Sequence, residues 1–347
     1  MMPEEWPIAA PAAERNAPAR AAGRGRLPTV RVDFFLNPAE RLTEQERALM
    51  TAMLHCLVGD IAGEIRAALP VGWVGANDDE AVIVDAMTRA GLLDDPELLA
   101  LLLRRADEER IATAARARSG KREARVIQGL VSHHDGTASA AAMALILARG
   151  RRRDRFGQCL LGFDDLSAEL AEQLVHAIAA ALRRDIASTQ GSAAADTELS
   201  IAASLLLARH DPTRGIEALT GSLVAQLDDA EGLTDELLLA AAQEGEVGFL
   251  SEALGRRAGI PGTLALDELL SGNPPHVMAL LLLASFSREL SAGLLASVGD
   301  LIGIADPGEA ICVYDRLSAD EMSAASSWLA TTPAYRAALH ALDRSNG

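Results

Sequence analysis

The chain has 347 residues and a formal net charge of −17 at pH 7; 49% of its residues are hydrophobic and only 3% are aromatic. This length and apolar content suffice for one large or two smaller folded units. The negative charge disfavours general binding to nucleic acids or anionic membranes, because both would repel the chain.

The N-terminal region differs from the rest of the chain. Residues 1–27 are rich in Pro, Ala, Gly and Arg without apolar periodicity, which predicts a disordered arm. The region has no apolar run typical of a signal sequence. The apolar runs at 138–148 and 277–284 are shorter than the ~18 residues that span a bilayer, so we expect no membrane span.

Three cysteines, Cys56, Cys159 and Cys312, lie far apart and form no CxxC pair. The apolar neighbours of Cys56 and Cys312 predict buried thiols. Unpaired cysteines are typical of a reducing compartment, so a cytoplasmic location is expected.

Helical periodicity begins after residue 30. Thr43 and Glu46 form a capping box, apolar residues then recur at spacings of three and four, and Pro70 ends the helix. Asp95 and Pro96 mark the start of a later helix. The predicted helices in this part of the chain cover 44–69, 80–90, 96–118, 123–131, 137–149 and 166–182.

Small polar residues at 185–197 predict a linker between an N-terminal lobe, 28–186, and a C-terminal lobe, 187–347. Further helices are predicted over 198–209, 212–228, 234–243, 247–258, 264–270 and 275–286, with three more in 291–342. The fold class is therefore all-α. Recurring capped leucine stripes favour a HEAT-like stack of antiparallel helix pairs, an α-solenoid.

The stretch LTDELLLAAAQEGEVGFLSEALGRRAGIPGTLALDELLSGNPPHVMALLLLASFS resembles the C-terminal signature of a bacterial family known as domain of unknown function 2336. The segments DFFLNPAERLTEQERALM and AMALILARGRRRDRFG resemble earlier parts of a long form of that family. The resemblance covers roughly residues 30–330. It implies a helical-repeat fold and no particular activity.

The folded part has one concentrated positive patch, formed by Arg149, Arg151, Arg152, Arg153 and Arg155. Cations at the end of a helix interact favourably with the negative end of its dipole, so the patch has a structural interpretation. The patch could also bind phosphate or an acidic partner, and we treat these five residues as candidate partner-binding residues. A regulator that contacts nucleic acid through this patch and the N-terminal arm is a third interpretation, which the net charge disfavours.

His133, His134 and Asp135 form a dense polar cluster. An HD-type phosphohydrolase holds divalent metal with a His-Asp dyad, but further ligands, such as His55 or His176, would have to complete the site. The competing interpretation is a loop in which Asp135 caps the next helix.

Other motifs argue against catalysis. Lys121 is the only lysine and has neither a P-loop nor an apolar pocket around it. Acidic clusters such as 107–109 are expected at helix starts or on polar faces. The sequence therefore predicts a non-enzymatic scaffold or adaptor that binds another protein and needs no cofactor; the alternative is a metal-dependent HD-type phosphohydrolase centred on His134 and Asp135.

Overall fold

The structure, a computed structural model, describes residues 43–73, 80–120 and 125–332, together with 335, 336, 338, 339 and 342. Over these residues the chain is all-helical, and its one β feature is an isolated antiparallel bridge between Arg153 and Cys159. The arm expected over 1–27 lies outside the described residues.

The described helices follow one another with short connections. In chain order they are α1 (Glu44–Ala68), α2 (Glu80–Arg89), α3 (Pro96–Ser119), α4 (Val126–Gly129), α5 (Gly136–Arg151), α6 (Ala168–Gln190), α7 (Ser192–Leu207), α8 (Ile216–Asp229), α9 (Asp235–Glu244), α10 (Val247–Ala258), α11 (Gly262–Leu269), α12 (Pro274–Leu283), α13 (Arg288–Val298), α14 (Pro307–Tyr314) and α15 (Ala319–Leu329). Short 3-10 turns occupy Leu130–Ser132, Phe163–Asp165 and Pro212–Arg214.

Local capping signals set the helix starts. The Thr43 hydroxyl accepts a hydrogen bond from the Glu46 amide, and the Glu46 carboxylate accepts one from the Thr43 amide, so the predicted capping box is confirmed. Asp95 caps α3, whose first residue is Pro96. Gly150, expected to end α5, lies inside it, because the Arg152 amide still bonds to the Ala148 carbonyl.

The linker predicted at 185–197 is wrong. Residues up to Gln190 continue α6, and α7 begins at Ser192, so Gly191 alone separates two helices that pack against each other. Gly191 has φ 84° and ψ 150°, a conformation that suits glycine and reverses the chain within one residue. Most of the small residues that suggested a linker lie on exposed helix faces, and only Ile186 and Ala195 of this stretch are buried.

Among the described residues, two hydrophobic clusters form the core. The first cluster contains buried residues of 50–106 and 161–206, and the second contains those of 111–148 and 216–311. The boundary predicted at 186/187 therefore cuts through the first cluster, which includes α7. Helix α3 belongs to both clusters, with Leu102 in the first and Ile111 in the second.

One described helix, α1, is long and apolar enough to cross a membrane by length and composition. Its stripe, which includes Met50, Met53 and Leu57, is fully buried in the first cluster. In the fold, α1 is a core helix that packs on α2, α3, α6 and α7.

The burial predicted for Cys56 and Cys312 is wrong, because both are exposed. Cys56 adjoins buried Leu57 in sequence but lies off the buried stripe of α1. Apolar neighbours in sequence do not share a helix face, so they do not bury the thiol.

We expect the turn at Gly191 to be sensitive to a side chain. Gly191→Ala should lower the free energy of unfolding by about 1–3 kcal/mol, because alanine is strained at this positive φ. The matched control is Gly63→Ala in the exposed middle of α1, where a Cβ meets nothing within 4 Å. That change should stabilise by about 0.5–1 kcal/mol. Urea unfolding of both variants measures the two effects, and an equal effect at both glycines would contradict this account.

Candidate functional site

A cavity of about 360 Å³ lies beside the point where the two clusters meet. Its wall is built from α3, the end of α5, the start of α8, and α10 with the start of α11. Charged and apolar side chains share this wall. The charged groups come from helices far apart in sequence, so their meeting is a product of the tertiary fold.

Arg105 is the most deeply buried charge in the wall, with 4% of the residue exposed. Its Nη1 donates to Glu108 at 2.5 Å, and its Nη2 lies 3.6 Å from Glu217 Oε1. Burial would lower the pKa of Arg105, but Glu108 and Glu217 outweigh burial and raise it. Arg105 is therefore a permanent cation at the cavity.

Glu217 joins α8 to α3. Its Oε1 accepts a hydrogen bond from Arg104 Nε at 3.0 Å. Burial would raise the pKa of Glu217, but Arg104 and Arg105 lower it below its ordinary value, so this carboxylate is ionised. The result is an ion network across the junction of the two clusters.

Glu252 on α10 has a different environment. Within the described part of the chain it makes no hydrogen bond or ion pair, although it lines the cavity. Burial, together with repulsion from Glu217 and Glu108, raises its pKa from 4.5 to about 7. Its carboxyl group lies so close to the start of α11 that a Cβ on Gly262 would collide with it.

The candidate arginine patch divides into two groups. Arg149, Arg152 and Arg153 line the cavity and are ion-paired: Arg149 with Glu246 at 2.7 Å, Arg152 with Asp165 at 3.0 Å, and Arg153 with Glu109 at 3.0 Å. Arg151 and Arg155 are exposed and do not line the cavity. Three arginines of the patch therefore have a structural role in the cavity wall, and the other two are accessible to a partner.

A small hairpin over residues 152–160 presents Phe156 to solvent. The Asp154 carboxylate accepts hydrogen bonds from the amides of Phe156 and Gln158 at 2.8 and 2.7 Å, which holds the turn. Phe156 is 75% exposed, and the Arg155 guanidinium lies 4.7 Å from its ring centroid. Arg155 belongs to the predicted patch, whereas nothing in the sequence pattern singled out Phe156.

His133, His134 and Asp135 lie at the start of α5. Asp135 is the predicted N-cap, and its carboxylate accepts hydrogen bonds from the amides of Thr137 and Ala138 at 2.9 Å each. The Asp135 amide donates to His133 Nδ1 at 3.1 Å. Across the described segments, no three His, Cys, Asp or Glu side chains form a group that could hold a metal ion, so neither His55 nor His176 completes the dyad.

Several residues of the cavity were missed by sequence reasoning. Residues 107–109 were expected on a polar face, but Asp107 is 2% exposed, and Glu108 and Glu109 line the cavity. The available signal was the pair Arg104-Arg105, which directly ends an apolar run in α3. Cys159 also lines the cavity, and burial raises its pKa to about 11, so it is a thiol at neutral pH.

The raised pKa of Glu252 predicts pH-dependent stability. A carboxyl group whose folded pKa is raised stabilises the fold below its unfolded pKa, near 4.5, and loses this contribution as pH rises through about 7. Glu252→Gln should therefore stabilise the protein by on the order of 2 kcal/mol at pH 8. At pH 4.5 the difference should vanish. Urea unfolding at both pH values measures this, and a variant less stable than the parent at pH 8 would contradict it.

The N-cap role of Asp135 predicts a specific ranking of variants. Asp135→Ala should lower the melting temperature, whereas Asp135→Asn should lower it much less, since asparagine also caps helices. Thermal unfolding should give this order with and without a chelator. A chelator-dependent loss confined to the parent protein would instead indicate a bound metal.

No similar curated protein and no similar solved structure was found. The family model described as "Uncharacterised protein conserved in bacteria (DUF2336)" matches residues 86–327. This range is more than half of the chain and includes the cavity wall and the hairpin. It confirms the resemblance seen in the sequence, although the match begins later than residue 30. The chain belongs to this bacterial family.

Proposed function

We propose that the protein is a non-enzymatic helical adaptor that binds another protein through its hairpin. The contact surface, here called the hairpin face, consists of Arg151, Arg155 and Phe156. The observation that carries the proposal is the exposure of Phe156 at the tip of an ordered turn.

Phe156 has the properties of an interface anchor. Aromatic side chains and arginine are the types that dominate binding energy at interfaces. Only 3% of the residues in this chain are aromatic, so a 75% exposed phenylalanine stands out from the rest of the surface. The Asp154 hydrogen bonds fix the turn before binding, which reduces the entropy lost on association.

The charges around Phe156 define the partner's chemistry. Arg155 lies against its ring, and Arg151, at the end of α5, is also exposed, on a chain whose net charge is −17. A partner with an apolar pocket bordered by acidic side chains would match this surface. Complementary charge of this kind mainly raises the association rate.

The proposal extends to the helical architecture and to the cellular location. The sequential pairs α6 with α7 and α10 with α11 support a HEAT-like stack, an α-solenoid of the sort that builds extended binding surfaces. A cytoplasmic location is supported by the free thiols of Cys56, Cys159 and Cys312. The phosphohydrolase alternative is less well supported, because no further ligand accompanies His134 and Asp135 among the described residues.

Affinity capture tests the hairpin face. Two variants are compared: Phe156→Ala, and a double variant with Arg151→Glu and Arg155→Glu. Each should reduce capture of a native partner by at least about tenfold, the effect expected when one anchor side chain of an interface is lost. Stability should change little, because these side chains are exposed. Quantitative mass spectrometry of the captured proteins gives the measurement, and raised salt should slow association.

The matched controls are Leu205→Ala, which removes another exposed apolar side chain (54% exposed), and Arg184→Glu on the exposed side of α6. Both should retain the partner. Normal capture by the Phe156 and double-arginine variants would place the contact surface elsewhere and reject the hairpin face.

A further inference from the structure

We propose that the cavity binds a free α-amino acid with an apolar side chain, whose carboxylate meets Arg105 and whose ammonium group meets Glu252. This inference goes beyond the adaptor proposal and does not depend on it. It rests on the two opposite charges that the protein leaves incompletely satisfied in one cavity.

Arg105 has hydrogen-bond donors that no described acceptor satisfies. Its side chain is 5% exposed, yet its Nε and Nη2 are buried without a hydrogen-bond partner among the described residues. The Glu217 carboxylate, 3.6 Å from Nη2, is too far away to accept a hydrogen bond. Buried donors are almost always satisfied in native proteins, by protein, water or ligand.

The two unsatisfied donors suit a carboxylate. Nε and Nη2 form one edge of the guanidinium, and this edge can bind both oxygens of a carboxylate side by side. Nη1, on the other side, is already bonded to Glu108. Nε and Nη2 have almost no accessible surface in this structure, so a small shift of the Arg105 side chain, which lines the cavity, must open this edge before a bound molecule can supply the missing acceptor.

Glu252 has the complementary need for a cation. The neighbouring carboxylates Glu108 and Glu217 have arginine partners, whereas no cationic side chain of the described residues lies within ion-pair distance of Glu252. Glycine at 262 leaves room for the Glu252 carboxyl group where any Cβ would collide with it. An ammonium group at this position would offset the repulsion among the three carboxylates.

The combination selects a zwitterion. A simple anion would be repelled by the glutamates, and a simple cation would leave Arg105 unsatisfied. A free amino acid carries both charges one carbon apart and is neutral overall. Ile127, Ile146 and Ile216 line the same cavity and provide apolar contacts for its side chain. The volume of about 360 Å³ lies within the range of small-molecule sites.

Calorimetric titration of the full chain with leucine at pH 8 tests the proposal. Leucine should bind, whereas 4-methylpentanoate, which lacks the ammonium group, and 3-methylbutylamine, which lacks the carboxylate, should each bind at least about tenfold more weakly. Valine, isoleucine, methionine and phenylalanine complete the series. If none of the five amino acids binds with a Kd below about 10 mM, or if either analogue binds as tightly as the amino acids, the proposal is overturned.

Variants assign the two ends of the ligand. Glu252→Gln should weaken binding of the tightest amino acid at least about tenfold, while the matched control Glu169→Gln on exposed α6 should leave it unchanged. Arg105→Lys keeps the positive charge but removes the pair of guanidinium donors that binds both carboxylate oxygens, and it should weaken binding similarly. If that buried variant does not fold, Glu252→Gln and the analogues still decide the outcome. Unchanged binding by Glu252→Gln overturns the proposal.

The pH dependence supplies an independent readout. Affinity for the amino acid should fall between pH 8 and pH 6. The Glu252 carboxylate, which faces Glu108, Glu217 and Arg105, takes up a proton as the pH falls through its pKa of about 7. This fall should be absent in Glu252→Gln. Phe156→Ala should bind the amino acid normally, so failure of the hairpin face and failure of the cavity site are distinguishable. A pH-independent affinity in the parent protein would contradict the role of Glu252.

Discussion

The structure depends on the charged middle of α3, where one helix passes from the first hydrophobic cluster to the second. Arg104 and Arg105 follow directly on the apolar residues that fill the first cluster. Burying an unpaired charge is costly, and removing one partner of a buried pair costs about 3–5 kcal/mol. Glu217 on α8 pairs with Arg104 and lies 3.6 Å from Arg105, so these charges link the start of α8, which lines the cavity, to α3.

The same constraint explains why the cavity is polar and yet ordered. Most of its arginines have a carboxylate partner, as Arg149 has Glu246 and Arg153 has Glu109. The first pair joins α5 to the start of α10 and the second joins the hairpin to α3, so the wall is held from several directions. Among the described carboxylates of the wall, Glu252 is the exception, because it makes no hydrogen bond or ion pair. Burial and repulsion from its neighbours therefore raise its pKa. A site of this kind can discriminate ligands by charge without any catalytic group.

The sequence predicted local features well and long-range features poorly. The capping box at Thr43 and the start of α3 at Pro96 were predictable because each depends on residues within one turn. The same local view misread residues 185–197, where small polar residues lie on exposed helix faces rather than in a loop. Arg104 and Glu217 are 113 residues apart, and no local pattern indicates their meeting. The patch at 149–155 was visible as charge, but its division into paired and exposed arginines depends on α3 and α10.

The measurement that tests this account most directly is a double-mutant cycle between Arg104 and Glu217, followed by urea unfolding. We expect Arg104→Met and Glu217→Leu each to destabilise the protein, because each leaves the other charge without its partner. The double variant should recover part of the loss, with a coupling energy of about 1–3 kcal/mol. Additive effects, within about 0.5 kcal/mol, would show that the two charges act independently and would contradict the claim that this pair joins the two clusters.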